Sequence, residues 1–520
     1  MFRKIKKYIL DHKVETILII VILLASAFLR LYKISDYMTF LGDEGRDVIV
    51  ARGILQGHFT LLGPRASAGD FFLGPVYYYM IAPFLLLTGF DPVGPAIMVA
   101  LFGIGTVFLV YLVGKKFFDT RAGLIAASLY AVSPIVIAYS RSSWNPNLMP
   151  FFSLLILYLS YLAVKKNSIK LFIFVGFLLG IAIQLHYLTT FLGVIVFFFV
   201  LFGEWVNSKK NIISRSVGHL VVLFTGFIIG FLPFLAFEVR HGFANIKTIV
   251  GFIFEDNASK IYLPGHTFLS QVGDVFFRLF GRLVMKFPPP EQVNVDTNPL
   301  LWIWFFGTIV LAIVSVVALF KTHEKLKILL IGLWLFFGVF LFGVYKKSIY
   351  DYYFGFMFPL PFLLIGNLLS VFASIKNNVK IFAVISFIIF GGILLLNLSG
   401  NPFRYPPNKQ KDQVKKISEF VLSKTDNKPF NFALITRGNS DHAYRYFFEV
   451  ANHAPIPIQN TTLDPQRKSV TDQLLVICEG SCQPLGDPLW EVAGFGRAEI
   501  TSFWDTPFVR VYRLTHYKGN

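Results

Sequence analysis

The chain has 520 residues, 55% of them hydrophobic and 17% aromatic, including 59 Phe, with a mean hydropathy of +0.61. That composition excludes an ordinary soluble domain, and the repeated apolar runs are long enough to cross a hydrocarbon core of about 30 Å. The formal net charge of +18 points to cytoplasmic loops and anionic lipid, not to nucleic acid, because Lys and Arg gather on the cytoplasmic side of membrane proteins.

In chain order, the basic start Phe2-Arg3-Lys4-Ile5-Lys6-Lys7 precedes an apolar span at about 14–31. A cleaved signal peptide is the competing reading, since Ala25-Ser26-Ala27 has the small-x-small form of a cleavage site. The run is longer than a usual signal core, which favours an uncleaved anchor with a cytoplasmic N-terminus. Directly after it comes Thr39-Phe40-Leu41-Gly42-Asp43-Glu44-Gly45-Arg46-Asp47. Acids set so close to a bilayer are costly, and they mark function more often than decoration.

The next apolar stretch, 71–87, decides the topology. If it spans, the basic clusters at Lys115-Lys116, Lys165-Lys166 and 209–215 fall outside; if it lies flat at the outer interface, all fall inside, as the positive-inside rule requires. Its Gly74, Pro75, Tyr77-Tyr78-Tyr79 and Pro83 also suit an interface. Two interfacial helices are therefore expected outside, at 43–56 and 71–87. Further spans are expected near 93–114, 122–140, 148–164, 169–186, 188–204, 217–237, 300–320, 326–344, 351–372 and 379–397, about eleven in all. The turn at His186-Tyr187-Leu188 and the loop 238–300 lie outside.

Beyond Ser399-Gly400-Asn401-Pro402 the composition changes. Strands are expected at 432–436, 474–478 and 509–514 and a helix at 441–452, making a small α/β domain on the outer surface. The expected division is thus an all-α polytopic membrane domain, 1–399, and an extracytoplasmic α/β domain, 400–520. Cys478 and Cys482, the only cysteines, sit where oxidation is permitted; the short loop between them leaves a disulfide open.

No phosphate-cradling glycine loop, Cys/His metal box or nucleophile elbow is present. The chain instead combines external acids, external cations and aromatics on an apolar scaffold. That set suits transfer of a group carried by a lipid phosphate: a carboxylate takes the acceptor proton, a cation stabilises the departing phosphate, and aromatic faces line a sugar.

The run Gly42-Asp43-Glu44-Gly45-Arg46, the segment Leu73-Gly74-Pro75-Val76-Tyr77-Tyr78-Tyr79 and residues 123–134 ahead of an external loop resemble the GT-C membrane glycosyltransferases. The nearest branch is that of the protein O-mannosyltransferases and aminoarabinose transferases (glycosyltransferase family 39). The resemblance covers about residues 1–400. It implies a hexosyl- or pentosyltransferase with a polyprenyl-phosphate sugar donor, an extracytoplasmic acceptor (glycan, lipid or protein) and inversion at the anomeric carbon. Asp43 would be the general base, Glu44 would orient the acceptor or tune Asp43, and neither a cofactor nor a divalent metal is expected.

Two positions depart from the family pattern. The loop Tyr139-Ser140-Arg141-Ser142-Ser143-Trp144-Asn145-Pro146-Asn147 lacks the second acid of many relatives, and Gly74 stands where some have Lys or His. The phosphate then needs its cation elsewhere. Candidates are Arg65, Arg141, His186, Arg240, His241 and Lys346-Lys347 ahead of Tyr350-Asp351-Tyr352-Tyr353, with Lys347 and Tyr353 favoured and Arg141 next. Arg46, Trp144, Asn145 and His186 are candidates for substrate contact.

Each candidate has a bland counterpart. For Asp43 it is a helix N-cap, which leaves its acidic neighbours at the bilayer edge unexplained; for Arg46 a partner for Glu44 or Asp47, for Lys346-Lys347 interfacial anchors, and for Tyr77 to Tyr79 and Trp144 an aromatic belt. The rival functions are a transporter or flippase of lipid-linked sugars, which ordinarily carries internal repeats and midplane charges, and a polysaccharide polymerase.

Overall fold

The computed structural model describes residues 10–66, 71–207, 211–254, 267–289, 292, 298–345, 348–375, 379–436 and 438–519. Among these, eight helices are long and apolar enough to cross a membrane, or nine if the pair Asp351–Met357 and Pro359–Ala373, bent by 54°, is one span. Two shorter apolar helices, Thr120–Val132 and Ile169–Leu185, occupy the remaining expected positions. The chain is therefore a multi-pass membrane protein. The two expected interfacial segments are helices at Gly42–Leu55 and Val76–Leu87. The second starts later than expected because Leu73 is paired with the stretch before it: Gly63 N–H donates to Leu73 O (2.8 Å) and Leu73 N–H to Pro64 O (2.9 Å).

The chain divides into two compact units. The first comprises Met1–Ile34, Phe59–Met80 and Ala96–Pro406. Within it, helices Ile169–Leu185 and Ile212–Arg240 touch along facing glycines. A Cβ built on Gly176 would stand 1.9 Å from Leu223 O, and one on Gly226 2.0 Å from Ile173 O. Small residues at this spacing let membrane helices approach backbone to backbone, where van der Waals packing replaces a hydrophobic drive. Gln184 bridges the same pair, its Nε2 donating to Gly180 O (2.9 Å) and Gly230 O (2.8 Å).

The second unit comprises Ser35–His58, Ile81–Pro95 and Pro407–Asn520, so it takes in two early segments that the sequence reading left with the membrane part. Its sheet has the order β1-β2-β4-β3, with β1 Asn431–Ile435, β2 Gln473–Cys478, β3 Ala498–Asp505 and β4 Arg510–His516. β1 and β2 run parallel, joined by a crossover carrying helix His442–Val450, while β4 is antiparallel to both neighbours. A parallel pair requires such a crossover. β3 was not expected; its alternation of exposed and half-buried residues belongs to an edge strand, which carries a weaker apolar signal. Ala433, Leu474, Val476, Phe495 and Leu514 form the core, and Cys478 and Cys482 are disulfide-bonded.

The early segments are tied in by specific hydrogen bonds. Phe40 N–H donates to Gln410 Oε1 (3.0 Å), Lys409 N–H to Asp36 O (2.8 Å), Tyr446 Oη–H to Phe90 O (2.6 Å) and Lys411 Nζ to Asp91 Oδ2 (2.8 Å). Phe40 packs edge-on against Tyr446 and Phe447.

Candidate active site

Helix Gly42–Leu55 presents the acidic motif in its first turn, where carboxylates favour the exposed amides and positive end of the helix. It stops where Gly57 takes a φ of +93°, a conformation that glycine adopts without Cβ strain. The N-cap is Leu41, which has no side-chain cap, so Asp43 does not serve as the N-cap. Glu44 supplies the missing partner: its Oε2 accepts from Leu41 N–H (3.0 Å) and its Oε1 from Thr39 Oγ1 (2.6 Å). Glu44 is buried and holds the turn.

Asp43 is different, with a side chain 54% exposed. Arg46 Nη1 reaches its Oδ1 at 2.8 Å, while Arg46 Nε and Nη2 reach Asp47 Oδ1 at 3.0 and 2.7 Å. Asp47, which the sequence reading named as a possible partner for Arg46, is fully buried. Burial pushes its carboxyl up to about 7, with Arg46 opposing. Asp43 and Arg46, three residues apart, share one helical face.

The other candidates belong to the first unit. Trp144, His186 and Tyr353 come together around Tyr352: Trp144 lies 4.4 Å and His186 6.0 Å from the Tyr352 ring, and Tyr353 lies 4.6 Å from Tyr352 and 5.6 Å from His186. Tyr187 Oη and Tyr345 Oη hydrogen-bond beside them at 2.8 Å. Burial pushes His186 down to about 3, which disfavours the charged ring. Arg141 is buried and spends Nη1 on Leu29 O (2.7 Å) and Nη2 on Tyr32 O (2.9 Å), which makes it a helix brace instead of a phosphate ligand. Asn145 is likewise buried and donates to Leu185 O. Arg65 is exposed, in a backbone bridge with Phe72. Lys346 and Lys347 lie outside the described residues.

Two cations that the sequence reading missed stand next to the aromatic cluster. Arg278 and Arg282 both bind Asp351, Arg278 through Nε at 3.0 Å and Arg282 through Nη1 at 2.9 Å. Arg278 also reaches Asp274 and Ile349 O and lies over the Phe354 ring. Their spacing of four in the amphipathic helix Phe268–Gly281 and the turn after it was the available signal. Arg282 and Lys286, with Trp304, also line a cavity of about 540 Å³, within the size range of small-ligand sites.

Gly74 has a packing reason. A Cβ there would stand 2.2 Å from Gln184 Oε1, on the side chain that already bridges two helices, so a longer residue does not fit. Tyr77 and Tyr78 are buried, Tyr77 Oη meeting Ser143 Oγ at 2.8 Å; they are core residues, and only Tyr79 stays partly exposed.

Residues 73–237 match the family model described as dolichyl-phosphate-mannose-protein mannosyltransferase. Among curated proteins, the chain is 28% identical over 217 residues to "Putative mannosyltransferase YkcB" and 30% identical over 215 residues to "Putative mannosyltransferase YycA", both of Bacillus subtilis (strain 168). Each match takes in 40% of this chain but only 29% and 30% of those proteins, so the chain spans less than a third of their length. Among solved structures it is similar to ArnT from Cupriavidus metallidurans bound to undecaprenyl phosphate, with TM-score 0.62, 13% identity, and 96% of this chain and 97% of that one covered. It is also similar to the oligosaccharyltransferase AglB of Archaeoglobus fulgidus in complex with an inhibitory peptide and a dolichol-phosphate, with TM-score 0.54, 13% identity, and 90% and 70% covered. The fold is thus the GT-C fold, as the resemblance in the sequence led one to expect.

Proposed function

We propose that this chain is an integral-membrane glycosyltransferase that moves a sugar from a polyprenyl-phosphate donor to an extracytoplasmic acceptor, with Asp43 as general base. The observation that carries the assignment is the division of labour among three acids on one turn. Glu44 and Asp47 are buried and engaged, whereas Asp43 alone among them is solvent-exposed, oriented by Arg46. In the step itself Asp43 takes the proton of the acceptor O–H or N–H. The acceptor atom forms a bond to the anomeric carbon as the bond from that carbon to the phosphate oxygen breaks, and the electron pair leaves with the lipid phosphate.

Within the first unit, Arg278 and Arg282 are the cations we assign to a lipid phosphate. The two guanidiniums are matched by the carboxylates of Asp351 and Asp274, Lys286 adds a cation on the cavity that Arg282 lines, and guanidinium suits phosphate geometry. This reading calls on no divalent metal. A cytoplasmic N-terminus and an outer second unit agree with the Lys/Arg distribution and with the disulfide at Cys478 and Cys482. The mannosyltransferase match at residues 73–237 makes polyprenyl-phosphate mannose the first donor to try.

The test is Asp43→Asn in purified chain, incubated with polyprenyl-phosphate mannose, glucose and aminoarabinose. Transfer should fall by roughly 100-fold or more while the melting temperature stays unchanged. Undiminished transfer would reject the base assignment.

A further inference from the structure

The first turn of the acid helix rests on a loop that arrives 397 residues later in the chain. Gly42 N–H donates to Asn439 Oδ1 at 3.0 Å. A Cβ on Gly42 would stand 1.9 Å from Ser440 Oγ, and one on Gly45 2.3 Å from Ala443 N. The two glycines of the motif therefore mark a close contact, and the loop 439–443 lies against the stripe they form. Asp43 and Arg46 follow those glycines by one residue each, so their side chains emerge on the neighbouring face, at the border of the same loop.

His442 is the loop's chemically capable residue. Its side chain is 41% exposed, its Nδ1 is 2.8 Å from Ser440 Oγ, and it lies within electrostatic reach of Arg46 and Asp43. Burial lowers its pKa, Arg46 and Arg445 add to that, and Asp441 and Asp43 oppose it. The ring is therefore neutral near pH 7. Nδ1 is engaged by Ser440 Oγ and lies 3.9 Å from Asp441 Oδ1, whereas Nε2 makes no hydrogen bond among the described residues.

We propose that loop 439–442 forms the acceptor-facing wall of the Asp43 site, and that His442 Nε2 positions a saccharide acceptor by hydrogen-bonding one of its hydroxyls. This rests on the glycosyltransferase reading. The acceptor class follows from charge. Arg46 is balanced by Asp43 and Asp47, and Arg445 by Asp441, so the wall offers an anion no surplus cation but offers a polyol neutral donors and acceptors. His442 is a positioning residue here, not the base.

The experiment measures partition in the full-length purified chain. It uses whichever of the three donors above the wild type consumes, with methyl α-mannoside as the hydroxyl probe and water as the competing acceptor. His442→Ala should lower transfer to methyl α-mannoside relative to hydrolysis by about tenfold, the worth of one hydrogen bond, at unchanged donor KM and unchanged hydrolysis. His442→Gln, whose amide nitrogen stands near the Nε2 position, should recover most of it. A ratio that does not change in His442→Ala overturns the proposal. So does a parallel loss of hydrolysis and transfer, which would mark a structural role, or a wild type that hydrolyses donor but never transfers to the probe. Consumption of no donor by the wild type overturns the parent reading together with this one, whereas full activity in Asp43→Asn removes only the base and leaves the partition test decisive.

Discussion

Arg46 grips Asp47 through two nitrogens on a single carboxylate oxygen, Nε at 3.0 Å and Nη2 at 2.7 Å to Oδ1, and Asp47 Oδ2 is left buried with no hydrogen bond among the described residues. Such a half-satisfied carboxyl holds its proton more tightly in the folded chain than in the unfolded one, which titrates near 3.8, against about 7 folded. Stability from this group is therefore complete below about pH 4 and is lost as pH rises toward 7. Wild type should melt at a lower temperature at pH 8 than at pH 5, and Asp47→Asn should flatten that difference. Parallel pH profiles for the two proteins would contradict the assignment.

The glycine contacts separate two substitutions of equal chemistry. Gly45→Ala drives a Cβ into the backbone at Ala443 N, which cannot swing away, and should cost about 1–3 kcal/mol. Gly53→Ala in the same helix meets nothing closer than His58 Cβ at 3.8 Å and should stabilise slightly, by roughly 0.4–1 kcal/mol. Thermal or denaturant unfolding of the two variants beside wild type checks the order.

Removing one guanidinium from the Asp351 cluster tests the phosphate assignment. Arg278→Ala should raise the KM for the lipid-phosphate donor about tenfold or more while leaving the acceptor KM unchanged, because charge-assisted hydrogen bonds are worth roughly 1.5–3 kcal/mol. Steady-state kinetics with each substrate varied in turn gives the answer. Lys347→Ala, measured beside it, tells whether that lysine shares the phosphate.

Topology has a chemical readout. If helix Val76–Leu87 lies at the outer interface, single cysteines at Phe118 and Lys166, introduced after Cys478 and Cys482 are replaced by Ser, should escape an impermeant thiol reagent added outside sealed cells. Labelling at either position would overturn the orientation.

Spans and core strands were legible in the sequence because long apolar runs and short β-branched or aromatic runs carry their own periodicity. The acid motif was legible for the same local reason: charge is conspicuous beside an apolar segment. What could not be seen was partnership across the chain. Nothing local says that Arg141 spends itself on the carbonyls of Leu29 and Tyr32, or that Arg278 and Arg282 converge on Asp351. The glycines at 42 and 45 read as part of a family motif, yet their reason lies at Asn439 to Ala443.

Because the helix bearing Asp43 belongs to the same compact unit as residues 407–520, the natural breakpoint for building chimeras is not residue 400. A graft that exchanged only the C-terminal segment would separate Gly42 from Asn439 and Arg52 from Glu449, asking a foreign loop to seat a native carboxylate. Donor pieces ought to bring residues 35–58 and 81–95 along with the tail, so that the acid is inherited with the surface that fits it.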